Sequence, residues 1–308
     1  MISAIRKLRT VAYFSRVWAS GLAQQLGFRS HTDRMLRPRI TGQVPRSTEP
    51  EVEEFIVKTG GSPDLYRDGA GQLLMPHTYF TTWALAELAR ALLEARLPLN
   101  FTRLIHATSA VRVHRLQTVE EAARFTATVE TVVRTGKRVR IEQQLRTTTP
   151  GAQQLSESTL GLVLPDKRPR AGASRAPGNV PPGARLLTSI QLSGDEGWQY
   201  AWLSGDFNPV HWAQPVARIA GLQSPIAHGF DLMTRGCHAA IAHLCQRDAT
   251  KLKAIELSFR RPVALPSELH MYAGTPEVSR TGSRRIPIWL SLEPESPSHM
   301  VGHVEIDA

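Results

Sequence analysis

The stretch Ser204-Gly205-Asp206-Phe207-Asn208-Pro209-Val210-His211 decides the fold of this chain, together with Pro225-Ile226-Ala227-His228-Gly229 a short distance downstream. The residue before a proline is pushed out of the helical region, whereas proline itself suits the first helical position. The chain is therefore predicted to pass from a loop into a helix at Pro209, with Asn208 as the N-cap residue. This geometry places Asp206 and His211 on either side of one turn, where both side chains could contact the same small molecule.

A carboxylate and an imidazole that hold one water can share the work of activating it and moving its proton, which is general acid and base catalysis. Each residue taken alone also fits a plain turn, because Asp and Asn side chains often accept hydrogen bonds from their own backbone. The residues by themselves leave both interpretations open.

Taken whole, the two strings resemble the signature of the MaoC-like (R)-specific enoyl-thioester hydratases, also called hydratase 2. The resemblance is close over residues 198 to 265 and rests on layout elsewhere. It implies a hotdog fold, in which a curved antiparallel sheet wraps a central helix. It also implies that Asp206 and His211 form the catalytic dyad, that Asn208 supports the water and substrate, and that Gly229 donates its amide to the thioester oxygen.

The activity implied by this resemblance is reversible hydration of trans-2-enoyl thioesters to (R)-3-hydroxyacyl thioesters. No metal or redox cofactor is expected, and the partner is an acyl-CoA or an acyl carrier protein thioester. A thioesterase and a non-catalytic acyl-thioester-binding protein are the alternatives, because one fold hosts several functions. One departure from the family pattern is Trp212 followed by Ala213, where many members carry a polar or acidic residue.

Residues 228 to 245 are predicted to form the central helix because their apolar residues recur at helical spacing. Gly229 stands at its start, where a backbone N–H can stabilise negative charge and no side chain obstructs a flat thioester. His228 is expected to shape the loop rather than to transfer a proton. His238 and His243 are five residues apart, which does not fit helical metal ligands.

An internal repeat accounts for the length of the chain. Arg134-Thr135-Gly136 recurs as Arg280-Thr281-Gly282, an offset of 146 residues, and Pro76 with its apolar helix parallels Pro225 at an offset of 149. Each half therefore has a helix followed by strands, which predicts an α+β double hotdog whose two sheets join edge to edge. The predicted strands are 103–116, 124–134, 137–148 and 155–164, then 253–261, 267–279, 284–292 and 299–306.

The predicted domains are a basic N-terminal helical extension (1–45), a first hotdog without the motif (46–165), a linker (166–186) and a catalytic hotdog (187–308). The first half has Asp64 and Asp68 where the second has its dyad. It is expected to complete the sheet and to line an acyl-tail tunnel with Leu74, Tyr79 and Trp83. The alternative is that these three residues only fill the core.

The net charge limits which classes of partner the sequence indicates. The net charge of the 308 residues is +10, and residues 1–39 hold eight Lys or Arg against one acid. No zinc-finger spacing or RNP-like pattern indicates a nucleic-acid partner. The positive charge in the rest of the chain fits a phosphate-bearing substrate such as coenzyme A, or an acidic carrier protein. The alternative is that these charges are only solvated surface groups. The basic N-terminus fits a packed helix, a membrane-surface helix or a mitochondrial transit peptide.

Location and assembly follow from weaker signals. No apolar run is long enough to span a membrane. Cys237 and Cys245 lie about 12 Å apart along one predicted helix, too far for a disulfide, and fit buried thiols in a reducing compartment. The cytoplasm is the expected location, with mitochondrial targeting as the alternative. Pairing of two double hotdogs into a homodimer is also left open.

Overall fold

One antiparallel sheet runs through both halves of the chain. The computed structural model describes residues 12, 37–97, 99, 104–135, 138–164, 178–278 and 282–307. Within these residues the sheet has 11 strands. The first half supplies β1 (Arg39–Gln43), β2 (Ile105–Val113), β3 (Arg124–Thr135), β4 (Arg138–Thr148) and β5 (Gln154–Leu164). The second half supplies β6 (Arg185–Leu192), β7 (Leu252–Phe259), β8 (Ser267–Ala273), β9 (Glu277–Val278), β10 (Arg284–Ser291) and β11 (Met300–Ile306).

Five α-helices in the described residues pack on this sheet or connect its strands. They are α1 (Glu49–Lys58), α2 (Ala84–Glu94), α3 (Glu196–Ser204), α4 (Gln214–Ile219) and α5 (Gly229–Leu244). Short 3₁₀ helices cover Pro63–Tyr66, Tyr79–Thr82, Pro209–His211 and Ala249–Lys251. The central helix of the second half, predicted over 228–245, is confirmed as α5.

The strand order is β1-β3-β4-β5-β2-β7-β11-β10-β8-β6, with β9 paired to β10. The second half therefore repeats the order of the first in the opposite direction. The halves meet where β2 pairs antiparallel with β7, from Thr108 opposite Ser258 to Arg112 opposite Ala254. The predicted edge-to-edge double hotdog is confirmed.

Alternation along the strands explains which face of the sheet holds the helices. In β4, Val139, Ile141 and Leu145 are buried, whereas Arg140 and Glu142 between them are exposed. Side chains of a strand point alternately to opposite faces, so one face of the sheet is apolar and the other polar. The apolar face packs on α2 and α5 and forms one core that includes residues of both halves.

A buried histidine ties α5 to the first half. The Nε2–H of His238 donates to Thr59 Oγ1 at 2.9 Å, and the Tyr66 hydroxyl donates to His238 Nδ1 at 2.8 Å. This assignment follows because the Thr59 hydroxyl itself donates to the Phe55 carbonyl oxygen at 2.6 Å, so Thr59 Oγ1 accepts from the ring. Burial lowers the pKa of His238 to about 3, and the ring is neutral. Both its nitrogens are engaged within the protein.

Two predicted boundaries are corrected by the structure. Residues 39–43, which the sequence assigned to the N-terminal extension, form β1 and pair with β3. Residues 178–186, assigned to the linker, belong to the second half, since Asn179 bridges to Pro297, Val180 is buried and β6 begins at Arg185. The predictions for the basic N-terminal helix and for linker residues 166–177 lie outside the described residues, residue 12 apart. Among the described helices none is long and apolar enough to cross a membrane.

Candidate active site

The first motif forms a tight loop at the end of α3. Gly205 ends this helix in the left-handed conformation (φ 79°), which glycine adopts at little cost. Asp206 Oδ1 then accepts from the Asn208 N–H at 3.2 Å, and Asn208 Oδ1 accepts from the Val210 N–H at 3.3 Å. Asn208 caps the next helix as predicted, but this helix is a single 3₁₀ turn, Pro209–His211. The turn uses only one oxygen of the Asp206 carboxylate, so the turn interpretation and a catalytic role are compatible.

His211 is held by the second motif. Its Nδ1–H donates to the Ile226 carbonyl oxygen at 2.8 Å. A carbonyl can only accept, so the ring proton is on Nδ1 and the lone pair is on Nε2. Ile226 stands two residues before His228. The bond therefore joins the two motifs and orients the imidazole with a free acceptor nitrogen.

His228 braces both members of the predicted dyad. Its Nε2–H donates to the Asp206 carbonyl oxygen at 3.0 Å, and its ring stacks on that of His211 with centroids 3.7 Å apart and planes 25° apart. Burial holds the pKa of His228 well below its ordinary value, so the ring is neutral. These contacts are those of a loop-shaping residue. The sequence shows His228 beside the motif but carries no sign of the stacking.

Burial sets the charge state of the dyad. Removal from water raises the pKa of Asp206 and lowers the pKa of His211, while the attraction between carboxylate and imidazolium opposes both shifts. The His211 ring is therefore neutral at neutral pH, and the carboxylate of Asp206 is a stronger base than in water. This pair is suited to accepting and returning a proton.

Gly229 begins α5, and the N–H of a first helical residue has no partner within its helix. From the sequence, a glycine is expected at position 229 because a side chain there would obstruct the substrate. The structure supplies a different constraint, since a Cβ there would lie 3.0 Å from the Phe259 ring and 3.3 Å from His106 Nδ1. His106 belongs to β2 of the first half and lies 4.6 Å from the rings of Phe230 and Phe259. The half without the motif thus reaches the start of α5, which no local sequence signal indicated.

Buried charges fix α5 against α3. The Nε–H of Arg235 donates to Asp231 Oδ1 at 3.0 Å, and the same guanidinium bonds the Glu196 carboxylate on α3. All three side chains are buried. Burial raises the pKa of Asp231 to about 7 although Arg235 opposes the shift. Because α3 leads into the Asp206 loop, these ion pairs set the position of the loop relative to Gly229.

An aromatic cluster covers the outer side of the motif. Trp198, Trp202, Phe207 and Trp212 contact one another edge to face, with the rings of Trp198 and Trp212 5.1 Å apart. The indole N–H of Trp212 donates to the Phe207 carbonyl oxygen at 3.3 Å. Trp212, the departure from the family pattern, therefore braces the loop through packing.

Three side chains could offer ligands to a metal ion. The donor atoms of Asp206, His211 and His228 lie within 4.8 Å of one another. Two histidines and a carboxylate suit zinc or ferrous iron. The stacking of the two rings argues against such a fit, because lone pairs of near-parallel rings point side by side and do not converge.

The first half differs at the corresponding place. Asp68 Oδ1 accepts from the Ala70 and Gln72 N–H groups at 2.9 Å, which is a turn, and Asp64 is exposed on a 3₁₀ helix. A small cavity of about 60 Å³ lies in this half, and Tyr79 and Trp83 are among its lining residues. Leu74 is buried in the core but does not line the cavity.

Comparison with known proteins agrees with these features. A family model described as "MaoC like domain" matches residues 178–285. This part of the chain is a MaoC-like domain. It contains the Asp206 loop, the Ile226–Gly229 segment and α5. The matched region also begins where the structure places the start of the second half.

Relatives of the MaoC-like domain include "Enoyl-CoA hydratase 2, peroxisomal" of Arabidopsis thaliana, 39% identical over 57 residues, which is 18% of this chain and 18% of that protein. The chain spans 11 to 33% of the length of the curated relatives it matches.

Solved structures show the fold of the whole chain. One named "MaoC-like dehydratase" has a TM-score of 0.72 at 14% identity and covers 87% of this chain and 97% of its own. A Mycobacterium tuberculosis protein described as a double hotdog has a TM-score of 0.54 at 13% identity, covering 89% and 96%. Because each match covers most of this chain, the similarity in fold includes both halves.

Proposed function

We propose that the protein hydrates trans-2-enoyl thioesters of coenzyme A to (R)-3-hydroxyacyl thioesters, and catalyses the reverse dehydration. The observation that carries this proposal is the joining of the two motifs. Hydrogen bonds from His211 to Ile226 and from His228 to Asp206 bring the dyad to the segment that ends at the Gly229 amide. A relative named enoyl-CoA hydratase 2 supports a hydration reaction on an enoyl-CoA, and the (R) configuration is proposed from the resemblance of the two motifs to hydratase 2.

In the proposed reaction one water is held between Asp206 and Nε2 of His211. The water oxygen forms a bond to C3 of the substrate while one of its O–H bonds breaks. The released proton passes through the dyad to C2, and the C2=C3 double bond becomes single. Electron density moves onto the thioester oxygen during this step, and the Gly229 N–H at the start of α5 donates to that oxygen.

Asn208 and the first half complete the proposed site. The Oδ1 atom of Asn208 is engaged by Val210, so its amide N–H groups are left to hold the water or the substrate. The cavity beside Tyr79 and Trp83 is the proposed place for the acyl chain. The cavity holds only about 60 Å³ and its lining also includes Arg115 and Gln117, so a short acyl chain is proposed to enter it.

The proposed chemistry uses only side chains and one backbone amide, so no cofactor beyond the coenzyme A of the substrate is proposed. Activity is accordingly expected to persist after treatment with EDTA. The proposed location is the cytoplasm, which is supported by two buried cysteines that form no disulfide.

The proposal is tested by mixing the purified protein with trans-2-enoyl-CoA thioesters of several chain lengths. Loss of the conjugated-thioester absorbance and release of free thiol are followed together, and chiral analysis of the product reports its configuration. Loss of absorbance without thiol release, giving the (R) product, is expected. Thiol release alone would indicate a thioesterase, and neither signal at any chain length would indicate a binding protein.

A further inference from the structure

A basic groove crosses the polar face of the sheet at the end where the two halves meet. It has a volume of about 370 Å³ and spans β3, β4, β5, β2 and β7. Five neighbouring strands at about 4.8 Å spacing make it roughly 19 Å long. Nothing in the proposed hydration chemistry uses this groove.

The groove reaches the start of α5. Pairing of β2 with β7 ends at Thr108 opposite Ser258, and both residues line the groove. Beyond this pair the groove is lined by Phe259 and Arg260. The Phe259 ring is the same group that would lie 3.0 Å from a Cβ on Gly229. One side chain thus separates the groove from the amide proposed to bind the thioester.

Charge in the groove favours an anion. Its lining contains Arg138, Arg140 and Arg260 against one acidic residue, Glu142. Arg138 Nη2 is buried and has no hydrogen-bond partner among the described residues, and burying a charged donor without a partner is costly. Arg140 and Arg260 are exposed, and neither forms an ion pair with a described side chain. Guanidinium groups match phosphate oxygens in geometry as well as charge.

We propose that Arg138, Arg140 and Arg260 bind the phosphates of a coenzyme A thioester whose acyl end lies at Gly229. This inference rests on the proposed function and assigns the nucleotide part of the same substrate. The pantetheine arm enters at the open end of the β2–β7 seam, past Phe259. The first half therefore supplies two of the three phosphate ligands, and a truncated thioester without the nucleotide does not use them.

The test compares two substrates that share one acyl group, crotonyl-CoA and crotonyl-N-acetylcysteamine. The double variant Arg140→Gln/Arg260→Gln changes exposed residues only, and Arg138→Gln is made separately. Arg185→Gln is the matched control, an exposed arginine on the edge strand β6. Direct binding of free coenzyme A, measured by calorimetry, gives a readout that does not depend on turnover.

The double variant is expected to raise KM for crotonyl-CoA and Kd for coenzyme A by roughly 10-fold each, or about 1.4 kcal/mol, because two charge-assisted hydrogen bonds are lost and solvent screens each of them. KM for the truncated thioester is expected to stay within about 2-fold, as it does for Arg185→Gln with both substrates. Equal KM changes for both thioesters, or unchanged coenzyme A binding, would overturn the groove assignment.

Two further outcomes are distinguishable. Hydration of neither thioester by the unmodified protein would overturn the proposed function, while weakened coenzyme A binding in the variants would still support the phosphate site. A KM increase with an acyl carrier protein thioester but none with crotonyl-CoA would show that the groove serves a carrier and would refute the coenzyme A assignment.

Discussion

Replacement of Asp206 by asparagine tests the dyad with little change of shape. The carboxamide keeps an oxygen for the Asn208 N–H at 3.2 Å, and the backbone carbonyl still accepts from His228 at 3.0 Å. The loop should therefore survive while the proton acceptor is lost. Loss of a general acid or base costs about 10²- to 10⁴-fold in kcat, or about 2.7–5.4 kcal/mol in the barrier.

The same variant has an expected signature in stability. Burial raises the folded-state pKa of Asp206, so the folded state favours its neutral form. A carboxyl with a raised pKa stabilises the protein at low pH, and this stability is lost as the pH rises through the folded-state pKa. The melting temperature of Asp206→Asn relative to the unmodified protein should therefore increase as the pH is raised from acidic to neutral.

The assay follows hydration of crotonyl-CoA at saturating substrate between acidic and neutral pH. In the unmodified protein kcat should fall on the acid side as Asp206 is protonated, and this limb should disappear in the variant. Asp64→Asn, at the corresponding place in the first half, is the control and should keep full activity. If Asp206→Asn kept more than about a tenth of kcat with an unchanged pH profile, Asp206 would not be the proton acceptor.

Three further predictions concern α5. Gly229→Ala presses a Cβ against the Phe259 ring and should lower kcat roughly 10-fold in the crotonyl-CoA assay by displacing the amide; an unchanged kcat would contradict the role of this amide. Arg235→Gln leaves two buried carboxylates without a cation and should lower the free energy of unfolding in urea by about 3–5 kcal/mol. Asp231→Asn leaves one carboxylate for one guanidinium and should lower it far less. Equal losses in the two variants would refute this account. His238→Phe leaves the buried Tyr66 hydroxyl without its acceptor and removes the donor to Thr59 Oγ1, while Thr59 still donates to the Phe55 carbonyl oxygen. It should cost about 1–3 kcal/mol by the same measurement, and a cost below about 0.5 kcal/mol would show that the tie between the halves is unimportant.

Local sequence patterns predicted most of the long strands and the central helix of the second half, but not the helices α1, α3 and α4. The strand predicted over 124–134 is observed as Arg124–Thr135, and the helix predicted over 228–245 is observed as Gly229–Leu244. Periodicity and turn residues depend on neighbours along the chain, which the sequence shows directly. The strand β1 was also not predicted, since it pairs with a strand more than eighty residues away. The helix expected after Asn208 is a single 3₁₀ turn whose length no local signal predicted.

By itself the sequence determined that two similar scaffolds are present and that Asp206, Asn208, His211 and Gly229 occur only in the second. Only the tertiary structure decided what surrounds them. His106 comes to the start of α5 through the strand β2, which pairs with β7. The three arginines meet in the groove because neighbouring strands bring them together, and Arg235 reaches Glu196 across two helices. These contacts join residues far apart in the chain, and their energies depend on burial and on opposing charge, which exist only after the sheet has closed around α5.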